Sequence, residues 1–95
     1  MARLESSIER SVARRCRVKS VKLKDLGAAG YPDRLFFVPG GRPLLIEFKR
    51  PGEVPGPLQE YTHRQLRRLG YQVEVYDDIA TALRAIARAV AAAKK

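Results

Sequence analysis

The stretch from Pro43 to Tyr76 narrows the fold more than any other part of the chain. Pro43 to Lys49 is a run of aliphatic and aromatic residues closed by Pro51. After a Pro- and Gly-rich link, Pro51 to Pro57, Leu58, Thr62, Leu66 and Leu69 recur at helical spacing and Gly70 supplies a stop. Tyr71 to Tyr76 then returns to strand composition. A helix between two strands carries the chain back to the end where the first strand began, so this pattern predicts a crossover with the two strands parallel.

The flanking segments extend that unit. Arg34 to Val38, closed by Pro39-Gly40-Gly41, is separated from the Pro43 strand by a short turn, which predicts an antiparallel hairpin. Arg17 to Leu23 alternates as a strand does, and Arg3 to Arg14 places Leu4, Ile8 and Val12 on one helical stripe. After the Tyr71 strand, Asp77 or Asp78 can cap a last helix whose stripe is Ile79, Leu83, Ile86 and Val90, with a tail from 91 to 95 expected to fray. The expected architecture is α/β, a single three-layer domain over residues 1–95 with a mixed β-sheet flanked by helices, in the order α-β-β-β-α-β-α.

Charge limits what such a domain works on. Nineteen Lys plus Arg against ten Asp plus Glu leave a formal charge of +9 on 95 residues, a strong attraction for polyanions that makes nucleic acid the leading partner. No run of about 18 or more apolar residues is present for a membrane span. Met1 to Glu9 carries charges where a secretory signal needs an apolar core, so an intracellular location is expected. The single cysteine, Cys16, has no partner for a disulfide and no suitably spaced ligands for zinc; it is expected to be a small packed or partly exposed residue.

Within the Pro43 strand, Glu47 and Lys49 lie two residues apart, so both project from one face, roughly 6 to 7 Å apart along the chain. Glu-x-Lys by itself is a commonplace of solvated strand faces. Asp33 changes its meaning: it follows Gly30-Tyr31-Pro32, where proline fixes the backbone at the mouth of the adjacent strand, across from the end at which Glu47 emerges. Two carboxylates and a lysine on neighbouring strand ends can hold a hard cation beside an amine. Phosphodiester hydrolysis needs such a set, since water must be activated while negative charge builds on phosphorus and on the leaving oxygen. In that reading Asp33 and Glu47 bind magnesium or manganese, the Phe48 carbonyl offers a third oxygen, and Lys49 orients or deprotonates the water and stabilises the transition state.

These residues resemble the PD-(D/E)XK nuclease superfamily and, more closely, its virus-type replication-repair nuclease (VRR-NUC) branch in stand-alone form. The matching elements are a first helix beginning with Glu5, then Gly30-Tyr31-Pro32-Asp33-Arg34, then Glu47-Phe48-Lys49-Arg50-Pro51, Gln59 opening a helix, and Gly70 before a Val-rich strand, together spanning Leu4 to Asp78. The resemblance implies a restriction-endonuclease-like core and metal-dependent hydrolysis of DNA in replication, recombination or repair. It also implies a catalytic set of Asp33, Glu47 and Lys49, joined by Glu5 as a further metal-site carboxylate and Gln59 as a supporting polar residue. Glu5 falls roughly 60° from the centre of the Leu4, Ile8, Val12 stripe and Glu9 roughly 100°, which makes Glu5 the residue at the core edge. An acidic residue in a first helical turn also complements the helix dipole, and Gln59 is also an ordinary polar residue for a first turn. Related nucleases often carry Tyr four residues after such a Gln; here that position is His63, with Tyr61 nearby.

His63 lies beside the apolar stripe of its helix and is expected at the surface or against a DNA backbone, not as a general base. Lys19, Lys22 and Lys24, with Arg34, Arg50, Arg64, Arg67 and Arg68, are the candidates for phosphate contact, while Tyr31 and Tyr61 are expected to pack rather than to stack on a base. A bare catalytic core handling symmetric DNA gains from pairing, so the specific expectation is a homodimer cutting four-way junctions or other branched DNA. The rivals are a non-catalytic DNA-binding or assembly module on a nuclease-like fold, and an RNA-binding α/β protein. The first expects a broken carboxylate and lysine set; the second gives Asp33 and Glu47 no task.

Overall fold

The computed structural model describes residues 4–23 and 29–93. Its elements are α1 (Glu5–Arg15), β1 (Ser20–Lys22), β2 (Arg34–Phe36), β3 (Leu44–Phe48), α2 (Pro57–Arg68), β4 (Gln72–Tyr76) and α3 (Ile79–Ala93), in the expected order. The strands form one sheet in the order β1-β2-β3-β4, antiparallel except for the β3 and β4 pair, which the crossover through α2 makes parallel.

Strand alternation decides which residues meet which helix. Leu44, Ile46 and Phe48 of β3 join Phe36 and Val38 in one apolar core with Ile8 and Val12 of α1 and Ala82 and Ile86 of α3. The alternate set, Leu45 and Glu47 with Val73 of β4, lies beneath α2, whose Gln59 bonds Glu47 and whose Arg67 bonds the Val73 carbonyl. The chain is therefore three layers deep, with α1 packed beside α3 on one face and α2 on the other. Every residue of β3 is buried, as a central strand covered on both sides requires.

Several details depart from expectation, each for a local reason. β1 is shorter than Arg17 to Leu23, because Arg17 takes a left-handed backbone (φ 60°) that no strand accommodates. The pairing nonetheless outruns the regular strand, with the Leu23 N–H donating to the Asp33 carbonyl (2.9 Å) and the Phe37 N–H to that of Lys19 (2.8 Å). Asp78, rather than Asp77, caps α3 by accepting the Thr81 N–H (2.9 Å), while Asp77 accepts the Gly52 N–H (3.0 Å) and anchors the link to α2. α3 stays helical to Ala93, past the expected fraying point at Val90; residues 94 and 95 lie outside the described residues. Its buried face centres on Ala82, Ala85 and Ile86, small residues that let α1 approach.

Both other helices are rotated from the apolar stripe by roughly 50°. On α1 the buried residues are Ile8, Glu9 and Val12, and Leu4 is an exposed N-cap. On α2 they are Thr62 and His63, while Leu58 and Leu69 stand 56% and 74% exposed. On α1 the reason is plain, since Glu9 meets the Arg34 guanidinium at 3.0 Å.

Candidate active site

Three chain segments converge at the end of β3. The first is the approach to β2, where Gly30 (φ +83°) lies against α2; a Cβ there would sit 2.8 Å from Thr62 Oγ1 and 3.1 Å from the Leu58 carbonyl oxygen. Only glycine permits both the backbone and the contact. Pro32 and Asp33 follow, both buried, and the Asp33 carboxylate turns onto β3, its Oδ2 accepting the Phe48 N–H at 2.7 Å. Carrying the β2 and β3 register one residue beyond Arg34 and Ile46 sets Asp33 across from Glu47, with both side chains on the α2 side. One step further, Pro32 stands across from Phe48 and has no N–H to offer its carbonyl.

β3 contributes Glu47, 1% exposed, and Lys49. Glu47 Oε2 accepts from Gln59 Nε2 at 2.9 Å and lies 3.5 Å from Lys49 Nζ, whose side chain is 15% exposed. α2 is the third contributor. Gln59 uses both ends of its amide: Oε1 accepts the Gly56 N–H (3.2 Å) at the start of the helix, and Nε2 holds Glu47. One group thus caps the helix and orients the buried carboxylate. The arrangement is two enclosed carboxylates and one lysine, partly open to solvent, on a floor that cannot shift without moving the sheet.

His63 belongs to this region, contrary to the expectation of a surface residue. One helical turn beyond Gln59, it follows the inward rotation of α2 and is 1% exposed. Burial, with the nearby positive charges of Arg67 and Lys49, lowers its pKa below the usual 6.5, and the negative charges of Asp33 and Glu60 offset this only in part. The imidazole therefore feels both the lysine and one carboxylate of the site. The four-residue spacing from Gln59 was the available signal; the apolar stripe pointed elsewhere.

The remaining candidates divide. Glu5 is half-buried in the first turn of α1, on the same face as Ile8 and Glu9. Among the described residues, no group of three or more His, Cys, Asp or Glu is gathered as a metal cluster would need, so Asp33 and Glu47 stand as the two side-chain oxygen donors. Glu9, not Glu5, is the buried carboxylate of α1, and it pairs with Arg34 (3.0 Å), which also donates to Ser20 Oγ (2.9 Å). Arg34 thereby joins α1 to the sheet. Arg67 is engaged similarly, with Nε and Nη2 donating to the Val73 carbonyl (3.1 and 2.7 Å). Lys19, Lys22, Arg50, Arg64 and Arg68 are exposed, and Lys24 lies outside the described residues. Tyr31 and Tyr61 do not pack as expected but are 41% and 51% exposed.

No family model matches the sequence. A phage protein named "Putative nuclease p44", from Acyrthosiphon pisum secondary endosymbiont phage 1, is 39% identical over 87 residues, covering 86% of this chain and 94% of that protein. A solved structure described as "VRR_NUC domain protein" superposes with a TM-score of 0.79 at 22% identity, over 96% of this chain and 91% of the other. Another, described as "VRR_NUC domain", gives 0.76 at 26% identity, over 86% and 92%.

Proposed function

Because this chain belongs to the VRR-NUC family of nucleases, we propose that it is a divalent-metal-dependent deoxyribonuclease that hydrolyses phosphodiester bonds in branched DNA, four-way junctions above all. The observation that carries this reading is the pair of enclosed carboxylates, Asp33 and Glu47, facing each other across β2 and β3 with Lys49 on the same face. Two enclosed carboxylates set side by side bring their oxygens together at one point of the sheet, the arrangement a small divalent cation takes. The donors are hard oxygens, and the Phe48 carbonyl, opposite a proline without an N–H, is a third; magnesium or manganese suits a site with few protein ligands and room for water.

Asp33, Glu47 and the Phe48 carbonyl would hold a divalent ion, which when bound would supply positive charge to the phosphate and acidify a water. The protein's own groups do the rest. Asp33 is fixed by the Phe48 N–H and Glu47 by the Gln59 amide, so neither carboxylate has to reorganise as the reaction proceeds. The Lys49 ammonium orients the attacking water and faces the negative charge that grows as the new P–O bond forms and the opposite one breaks. Exposed Lys19, Lys22, Arg50, Arg64 and Arg68, on a chain of charge +9, suit a phosphate backbone, and Glu5 at the edge of α1 is the candidate for an additional carboxylate when substrate binds. A second copy would give this small core the reach and symmetry that a four-way junction presents.

The test is cleavage of labelled four-way junction, flap and linear duplex, with and without magnesium or manganese, by the wild type and by Asp33→Asn and Lys49→Ala. Metal-dependent cutting that favours the junction and is lost in both variants is expected. Equal rates on linear duplex would remove the junction assignment, and activity surviving either substitution would remove the site.

A further inference from the structure

His63 Nε2 is enclosed and has no hydrogen-bond partner among the described residues. A buried ring nitrogen without a partner bears its whole desolvation cost, and an apolar residue at this point of α2 would avoid it. One turn before it on α2, Gln59 reaches the Glu47 carboxylate. Glu47 Oε2 is shared by two donors, Gln59 Nε2 at 2.9 Å and Lys49 Nζ at 3.5 Å. Were a cation to take a lone pair of that oxygen where it stands, the Lys49 ammonium would lose an acceptor. Burial favours the ring in its neutral form, the positive charges of Arg67 and then Lys49 act in the same direction and the negative charges of Asp33 and Glu60 against it, so one ring nitrogen carries a free lone pair.

We propose that His63 is a positioning residue for Lys49: with its proton on Nδ1, the ring accepts the Lys49 ammonium at Nε2 whenever Glu47 Oε2 is engaged elsewhere. The ammonium then passes from carboxylate to imidazole within the site and stays beside the reacting phosphate. This rests on the nuclease reading of the same residues, and it gives a buried nitrogen the partner it lacks in the resting protein.

The test uses the full chain with His63→Leu, which fills the space without a ring nitrogen, and His63→Gln, which returns a polar atom near Nε2. His63→Leu should melt at or above the wild-type temperature, since an unmatched polar group is gone, while kcat falls about tenfold and KM stays within about twofold. His63→Gln should recover most of kcat. A purely structural histidine predicts the reverse, a lower melting temperature with kcat retained, and that result would overturn the proposal. A second readout needs neither metal nor DNA: the 15N resonance of His63 Nε2 should move in Glu47→Gln, where the lysine is released from its carboxylate, and return in Glu47→Gln combined with Lys49→Ala. A resonance indifferent to Lys49 would also overturn it. Should the wild type cut no nucleic acid, the nuclease reading falls, and the resonance and melting measurements still decide the contact.

Discussion

Replacing Gly30 with alanine tests whether the loop that delivers Asp33 and the helix that delivers Gln59 are mechanically one unit. Two costs arise. Alanine in a left-handed backbone costs about 1–2 kcal/mol, and Gly30→Ala shares this with Gly41→Ala, where φ is +71° and nothing lies within 4 Å of the added carbon. At Gly30 the new methyl group also meets Thr62 Oγ1 at 2.8 Å, Leu58 Cγ at 3.0 Å and the Leu58 carbonyl oxygen at 3.1 Å. Thr62 and Leu58 side chains can rotate in part, but the carbonyl belongs to the helix backbone and can yield only if α2 moves. Overpacking of this kind adds about 1–3 kcal/mol. Urea unfolding should therefore place Gly30→Ala about 1–3 kcal/mol below Gly41→Ala, or roughly 4–8 °C in Tm for each kcal/mol. Displacement of α2 also moves the Gln59 amide off Glu47, so cleavage should drop up to about 100-fold in Gly30→Ala and hold in Gly41→Ala. Equal stability losses and equal activities in the two variants would refute the reasoning, because the contact with α2 would then carry no weight.

Further predictions concern charge. His63 titrates below its unfolded value of 6.5, so the stability it contributes is complete above that pH and is lost as pH falls through the folded pKa; the slope is at most about 1.4 kcal/mol per pH unit, and it should be missing when the unfolding of His63→Leu is followed from pH 7.5 to 5. Glu9→Ala leaves the enclosed Arg34 guanidinium with Ser20 alone and should cost about 2–3 kcal/mol in urea unfolding, less than the full loss for a wholly buried pair because each side chain retains some exposure. Glu53→Ala, at a pair more than half exposed and 3.8 Å apart, should change stability by less than about 0.5 kcal/mol, and similar losses at Glu9 and Glu53 would contradict this account of burial.

The sheet and its crossover were legible because period and punctuation agree: Pro43, Pro51, Gly70 and the Pro39-Gly40-Gly41 turn bracket runs too short and too branched to be helices. The turning of the helices was not. A stripe of leucines is assumed to face inward, yet α2 covers Glu47, and its inner face offers the Gln59 amide to that carboxylate; the same turning of the helix buries His63 and leaves Leu58 and Leu69 outside. The same rule misjudged α1, where Glu9 enters because Arg34 awaits it, and no spacing in the sequence links residues 9 and 34. The partners of Arg34 and Arg67 were not legible, because a basic residue declares its charge but not what it bonds. Asp33, Glu47 and Lys49 were legible for the opposite reason, since strand alternation and one proline fix where they project.

The register of β2 on β3 has a consequence beyond pairing. Arg34 opposite Ile46 and Phe36 opposite Leu44 hold the hydrophobic core in place, and the same offset sets Asp33 against Glu47. A slip of β2 by one residue would turn Phe36 away from the core that Ile46 still faces and part the carboxylates in a single step. The oily interior thus proofreads the polar site: a chain that mispairs exposes its core and scatters the Asp33 and Glu47 pair together, so the site comes only with the fold.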